Sequence, residues 1–250
     1  MKNPFRTALL LSSLLALALP AGPPAARGDD PAKAPAETKQ SGPHGVSLVV
    51  RMQGPYDADV PLQVVCYFKR TADSDKRMAG APVELDKRLG GLIGSLRARG
   101  EFAGDDLETL LVDVPDNKIK PKRLLLIGIG DAGTLSLDKM ERVGRVALRE
   151  AVKLGAARVA FAPLVRDQGV DTVKTGDVET AVTRGMLLAY DTERRLQQQG
   201  FAKSFTLGEW VVEAGPAYFD ETVAGVKTAI DQAGAAAKAR DPKPYSTAGK

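Results

Sequence analysis

Between residues 46 and 240 the spacing of apolar positions switches repeatedly between a period of two and one near 3.6, and each switch marks an element. Val46 to Met52 and Pro61 to Lys69 predict strands, the second carrying Val64, Val65, Tyr67 and Phe68. Leu85, Leu89, Leu92, Ile93 and Leu96 form one stripe, which predicts a helix over Val83 to Arg99 closed by Gly100. Leu107 to Val114 and Arg123 to Ile129 predict two more strands. Only eight residues separate them, two of them prolines, so no crossover helix fits and the pair is expected to be antiparallel if adjacent.

Ser136 is placed to cap a long helix ending at Leu154 and Gly155, with Met140, Val143, Ala147 and Ala151 inward. A short strand, Arg158 to Pro163, precedes a helix from Val178 to Gln198. Ser204 to Val212 predicts a strand, and Tyr218 to Lys238 the last helix. Strands alternating with helices of this length imply a layered α/β domain, and the early hairpin makes its sheet mixed.

The ends of the chain read differently. Lys2 and Arg6 precede Thr7 to Leu19, made only of Leu, Ala, Ser and Thr, followed by "PAGPPAARG". That is the layout of a secretory signal peptide, and thirteen residues fall short of the roughly 20 that cross a bilayer core. Cleavage after Ala21 or Gly28 fits, and Gly28 is preferred for its Ala-Arg-Gly pattern. The expected organisation is a signal peptide over 1–28, a disordered linker over 29–45 that ends beside His44, a folded domain over 46–240, and a disordered tail over 241–250. The expected location is secreted or periplasmic, with no membrane association after cleavage.

Charge then changes meaning. Residues 1–28 contain Lys2, Arg6 and Arg27 and no acid, so their removal takes the net charge from +4 to +1. A nucleic-acid partner loses its electrostatic support. Cys66 is the only cysteine, so no intrachain disulfide forms. It sits in an apolar run, and with Tyr67 and Trp210 it is expected in the core.

The stretch "KRLLLIGIGDAG" spells G-x-G-x-x-G at Gly128, Gly130 and Gly133. A dinucleotide site needs the helix to begin within this motif and an acid at the end of the next strand. Here the helix is expected only at Ser136, and "RVAFAPL" ends without an acid, so no cofactor is expected. A sharp turn at a strand end still often borders a ligand crevice, and Gly128, Gly130, Asp131 and Gly133 are the candidate lining. One His and one Cys exclude the usual zinc sites and a triad built on a core histidine. Acidic pairs such as Asp105 with Asp106 and Asp191 with Glu193 read as solvated. No catalytic and no metal-binding residue is assigned.

The order of pieces resembles the N-terminal domain of the leucyl aminopeptidases, the dizinc cytosol aminopeptidase family. The resemblance rests on Gly-x-Phe at Gly100 to Phe102, Gly-x-x-x-Glu-Thr at Gly104 to Thr109, the strand Lys122 to Gly130, and a helix pattern from Thr183 to Tyr190. It implies a macro-domain-like three-layer α/β/α fold. In that family the metals and catalytic residues lie in a separate C-terminal domain whose signature has no counterpart here, so none is carried over. The resemblance implies a non-catalytic role in binding or oligomer assembly, as a homo-oligomer or with a separate peptidase subunit. The alternatives are a macro-like pocket for a nucleotide or other small molecule, and an accessory subunit of a metalloaminopeptidase.

Overall fold

The computed structural model describes residues 36–245 apart from residue 72. The expected signal peptide and the start of the expected linker lie outside the described residues.

Seven strands form one mixed sheet: β1 (Glu37–Ser41), β2 (Ser47–Arg51), β3 (Leu62–Tyr67), β4 (Thr109–Asp113), β5 (Arg123–Gly128), β6 (Arg158–Ala162) and β7 (Glu209–Glu213). Their order is β1-β2-β7-β6-β3-β5-β4. The five inner strands run parallel and both edge strands antiparallel, with Thr109 opposite Ile127 in the expected hairpin. Six helices accompany it: α1 (Ser74–Arg77), α2 (Ala81–Arg88), α3 (Leu92–Ala98), α4 (Leu137–Leu154), α5 (Thr175–Gln198) and α6 (Phe219–Lys238).

Strand alternation sorts the core into two faces. Val64 and Cys66 of β3 pack with Met140, Val143, Val182, Met186 and Val226 of α4, α5 and α6. Val65 and Tyr67 point the other way and pack with Leu85, Ile93 and Phe102. The result is the expected α/β/α arrangement. Trp210, Tyr67 and Cys66 are all buried, and burial pushes the Cys66 thiol upward, away from the reactive thiolate.

Three expectations change. The helix expected over 83–99 is two helices, because Gly90 and Gly91 both have positive φ, and Asp86 accepts hydrogen bonds from the Ile93 and Gly94 amides to start the second. The strand expected over 204–212 occupies only Glu209–Glu213. The part of the linker that is described is ordered: Glu37–Ser41 adds to the sheet, with a cross-strand ion pair between Arg51 and Glu37 at 2.9 Å. An edge strand with one wet face tolerates such a polar composition, which is why composition alone reads as a tether. His44, in the following turn, meets Asp191 at 2.9 Å, and Arg240 Nη1 bonds the other carboxylate oxygen at 2.5 Å. Asp191 is therefore buried and paired, not solvated. The first residues of the expected tail are held as well, with the Asp241 carbonyl accepting from Arg195 and the Tyr245 amide donating to Gln199.

Helix α5 is seated by glycines. A Cβ on Gly185 would lie 2.0 Å from the Glu141 carbonyl of α4, and one on Gly144 2.0 Å from the Val182 carbonyl. On its other side, a Cβ on Gly225 of α6 would lie 2.4 Å from the Gly176 carbonyl. Thr180 Oγ1 reaches both the Gly176 and Gly225 carbonyls, at 2.7 and 3.0 Å. Gly185→Ala is expected to cost about 1–3 kcal/mol, because backbone must move to admit the methyl. Gly133→Ala, facing open space, should stay within about 0.5 kcal/mol. Urea denaturation of the two variants checks the contrast.

Candidate functional site

The four glycine-turn residues lie together after β5, but the turn is occupied by the protein itself. A Cβ on Gly128 would be 2.0 Å from the Asp105 carbonyl, so its glycine serves close backbone packing. Gly130 has φ 67° and hydrogen-bonds through its amide to the Gly104 carbonyl at 3.0 Å. Asp131 and Gly133 are exposed. Lys139 Nζ donates to the Ile129 carbonyl and to Thr134 Oγ1, both at 3.1 Å, and pairs with Asp106 at 3.6 Å. The helix starts after the motif, with Ser136 Oγ accepting from the Lys139 amide at 3.2 Å.

A cavity of about 650 Å³ lies elsewhere, over the carboxyl ends of β2, β7 and β6, and none of those four residues lines it. Its rim comes from the loops leaving these strands: Met52 to Tyr56, Pro163 to Asp167, and Ala214 to Tyr218. The first turn of α5 closes it with Val178 and Glu179, and α6 adds Thr222. Neighbouring parallel strands deliver their loops to one edge of the sheet, which is why such crevices form at carboxyl ends.

One loop is fixed by a buried side chain. Gln168 Nε2 donates to the Cys66 and Leu164 carbonyls, both at 3.0 Å, and its Oε1 accepts from the Phe68 amide at 2.9 Å. Leu164 is thereby held at φ 55°, in the left-handed region that leucine rarely adopts. Arg166, the cation among the lining residues, is committed to Thr175 Oγ1 at 3.3 Å and the Val173 carbonyl at 3.0 Å, with its guanidinium over the Tyr218 ring.

Two buried carboxyl groups line the cavity. Glu213 is buried at the end of β7, where its oxygens accept from Gln63 at 2.6 Å and Gln53 at 3.0 Å. Glu179 is 1% exposed, and its Oε2 has no hydrogen-bond partner among the described residues; neither has Thr222 Oγ1, in a residue equally buried. Burial pushes both carboxyls from an ordinary 4.5 up to about 8. The charge of Glu213 adds to the effect on Glu179, while the two glutamine hydrogen bonds pull Glu213 back. Among the described residues no group of three or more His, Cys, Asp or Glu stands close enough to hold a metal ion.

Sequence reading missed this pair. No motif in the sequence singles out Glu179 or Glu213. The available signal was Gln63, a polar residue within six consecutive buried strand positions, which requires a buried partner.

The raised pKa values have a thermodynamic consequence. Between about pH 4.5 and 8 the folded chain holds protons that the unfolded chain has released, so these groups make stability fall as pH rises through that window. Glu179→Gln keeps the shape of the neutral acid and removes the titration. It should leave stability near pH 5 almost unchanged and raise it at pH 9, by on the order of a few kcal/mol. Paired urea titrations at the two pH values measure this.

With the geometry established, comparison with known proteins is specific. The N-terminal domain of the cytosol aminopeptidase family matches residues 64–198. A probable cytosol aminopeptidase of Pseudomonas syringae pv. tomato is 31% identical over 117 residues, 47% of this chain and 22% of that protein. One from Thermosynechococcus vestitus is 31% identical over 118 residues, 45% and 22% of the respective chains. This chain thus matches about a fifth of the length of these curated relatives. Among solved structures, a tomato leucine aminopeptidase mutant superposes with TM-score 0.57 at 18% identity, over 81% of this chain and 37% of that one. The Oceanobacillus iheyensis macrodomain with ADP gives 0.53 at 11% identity, over 79% and 98%. At those identities the structures establish the shared macro-like fold. The match over 64–198 carries the ancestry: the chain belongs to the cytosol aminopeptidase family through that family's N-terminal domain.

Proposed function

We propose that this chain is an exported, non-catalytic binding domain, and that the cavity over β2, β7 and β6 is its binding site. The observation that carries the reading is the cavity itself. Its volume of about 650 Å³ falls within the usual range for small-molecule sites, and its walls are mainly apolar with a few buried polar groups at the bottom. The fold it occupies is shared with a macrodomain solved with ADP, which supports a pocket-binding use of this architecture. Export is supported by the charge and apolar layout of residues 1–28.

The family match over 64–198 supports a second reading, in which the chain pairs with a separate dizinc peptidase subunit as its accessory. The two are separated by activity and by ligand response. The purified chain alone, with zinc or manganese, should release no leucine from a chromogenic leucine amide. Sustained turnover would sink the non-catalytic reading, and turnover only on mixing with a peptidase subunit would favour the second. A saturable rise in melting temperature with some member of a small-molecule panel, abolished by Ala214→Trp in the cavity rim, is expected for the first. Expression with residues 1–28 in place should yield a chain outside the cytoplasm that begins at Asp29.

A further inference from the structure

We infer that the cavity takes an organic cation, an apolar body bearing an ammonium or amidinium head, seated between Glu179 and Thr222 at its deep end. This rests on the cavity being the binding site, and it names the chemical class of the ligand.

Three observations lead there. The first is unmet hydrogen bonding: Glu179 Oε2 and Thr222 Oγ1 are buried, line the cavity and have no partner. Leaving such groups unpaired costs roughly 1–3 kcal/mol each, so a molecule that supplies N–H donors to them gains what the empty cavity forgoes. The second is charge. Glu179, Glu213 and Asp167 line the cavity, and Arg166 is spent on Thr175, Val173 and Tyr218. Once these carboxyls ionise, a phosphate would meet carboxylates where it needs donors, whereas an ammonium meets acceptors. The third is the wall, where Pro163, Leu164, Val173 and Val178 offer apolar surface to the body of the ligand.

Such binding is linked to protons. Burial pushes the Glu179 carboxyl up to about 8, and a cation beside it favours the carboxylate. Binding therefore releases a proton and strengthens as pH rises from 6 to 8, then levels off. The Glu213 charge acts on Glu179, Gln53 and Gln63 bond Glu213, Arg51 and Asp57 act on Glu213 from β2 and its loop, and Asp167 and Arg166 line the same cavity. Cys66 of β3 also senses the Glu179 charge, and burial keeps its thiol protonated throughout the window. The carboxyl pair is the set that titrates between pH 6 and 9.

The test uses the full chain with phenethylamine and benzamidine as cationic probes, 2-phenylethanol as the neutral counterpart and ADP-ribose as an anion, by calorimetry from pH 6 to 9. At least one cationic probe should bind saturably, tighten roughly 50-fold between pH 6 and pH 8, and release about one proton per site. Glu179→Gln, which folds as the neutral acid does, should lose at least about tenfold in affinity at pH 8 and flatten the pH profile. Thr222→Val should weaken binding about five- to tenfold. Equal affinity for the alcohol, or preference for ADP-ribose, overturns the cation inference while leaving the cavity as a binding site. Binding that survives Ala214→Trp overturns the placement. If no probe binds, with the Glu179→Gln stability change still present, the deep end holds water and the inference falls. The binding-site reading itself fails only if a wider uncharged and anionic panel also leaves the cavity residues unperturbed by NMR.

Discussion

Everything distinctive about this molecule depends on how closely α5 is held by its neighbours. Gly185 and Gly144 bring α4 against it with backbone touching backbone, and Gly176 and Gly225 do the same for α6. These contacts leave no slack for a side chain at the crossings, so the helix is fixed along its axis as well as in depth. Its first turn then arrives at the carboxyl ends of β6 and β7 with Val178 and Glu179 facing the cavity. Glu221 reinforces the seat by accepting from the Gly176 amide at 2.8 Å. Move α5 by half a turn and the cavity loses its deep end.

The buried carboxyl pair is the cost that this packing has to offset. Two acids out of water are tolerated because each keeps its proton well above the ordinary carboxylate range, so the fold buries polar groups, not charges. Gln63 and Gln53 satisfy Glu213 completely enough to explain its place. Glu179 Oε2 and Thr222 Oγ1 receive no such compensation among the described residues. A half-satisfied polar cluster lowers stability relative to an apolar one, and proteins accept that mainly where another molecule completes it.

Much of this was legible in the sequence. The α4 stripe, its Ser136 cap and its Gly155 stop read directly from residue type and spacing, as did the hairpin of β4 and β5 and the core placement of Trp210. The family motifs also carry plain physical content. Phe102 is wholly buried with its ring edge-on to Tyr67, and Glu108 accepts from the Ala103, Gly104 and Asp105 amides. Tyr190 receives the Leu207 amide on its hydroxyl at 3.0 Å. The failures share one cause, which is that tertiary contacts redefined residues whose local signal was ambiguous. His44 and the 37–41 strand looked like tether because their partners, Asp191, Arg240 and β2, are distant in sequence. Glu179 and Glu213 went unnoticed for the same reason.

The cavity lies only half within the family match. The matched span, 64–198, contains both glycine contacts between α4 and α5, the Gln168 lock and Glu179. The other half of the lining, Met52 to Tyr56, Glu213 to Tyr218 and Thr222, lies outside that span. Packing constraints act on the first half, because a change at Gly144 or Gly185 disturbs the whole helical layer. The second half consists largely of loop residues, which tolerate substitution without disturbing the core. A chain can therefore retain the family's architecture and α5 placement while its floor and rim change character. By the same logic the glycine turn after β5, filled by its own neighbours and by Lys139, belongs to the architecture, and the proposed binding site lies at the opposite half of the sheet's carboxyl edge.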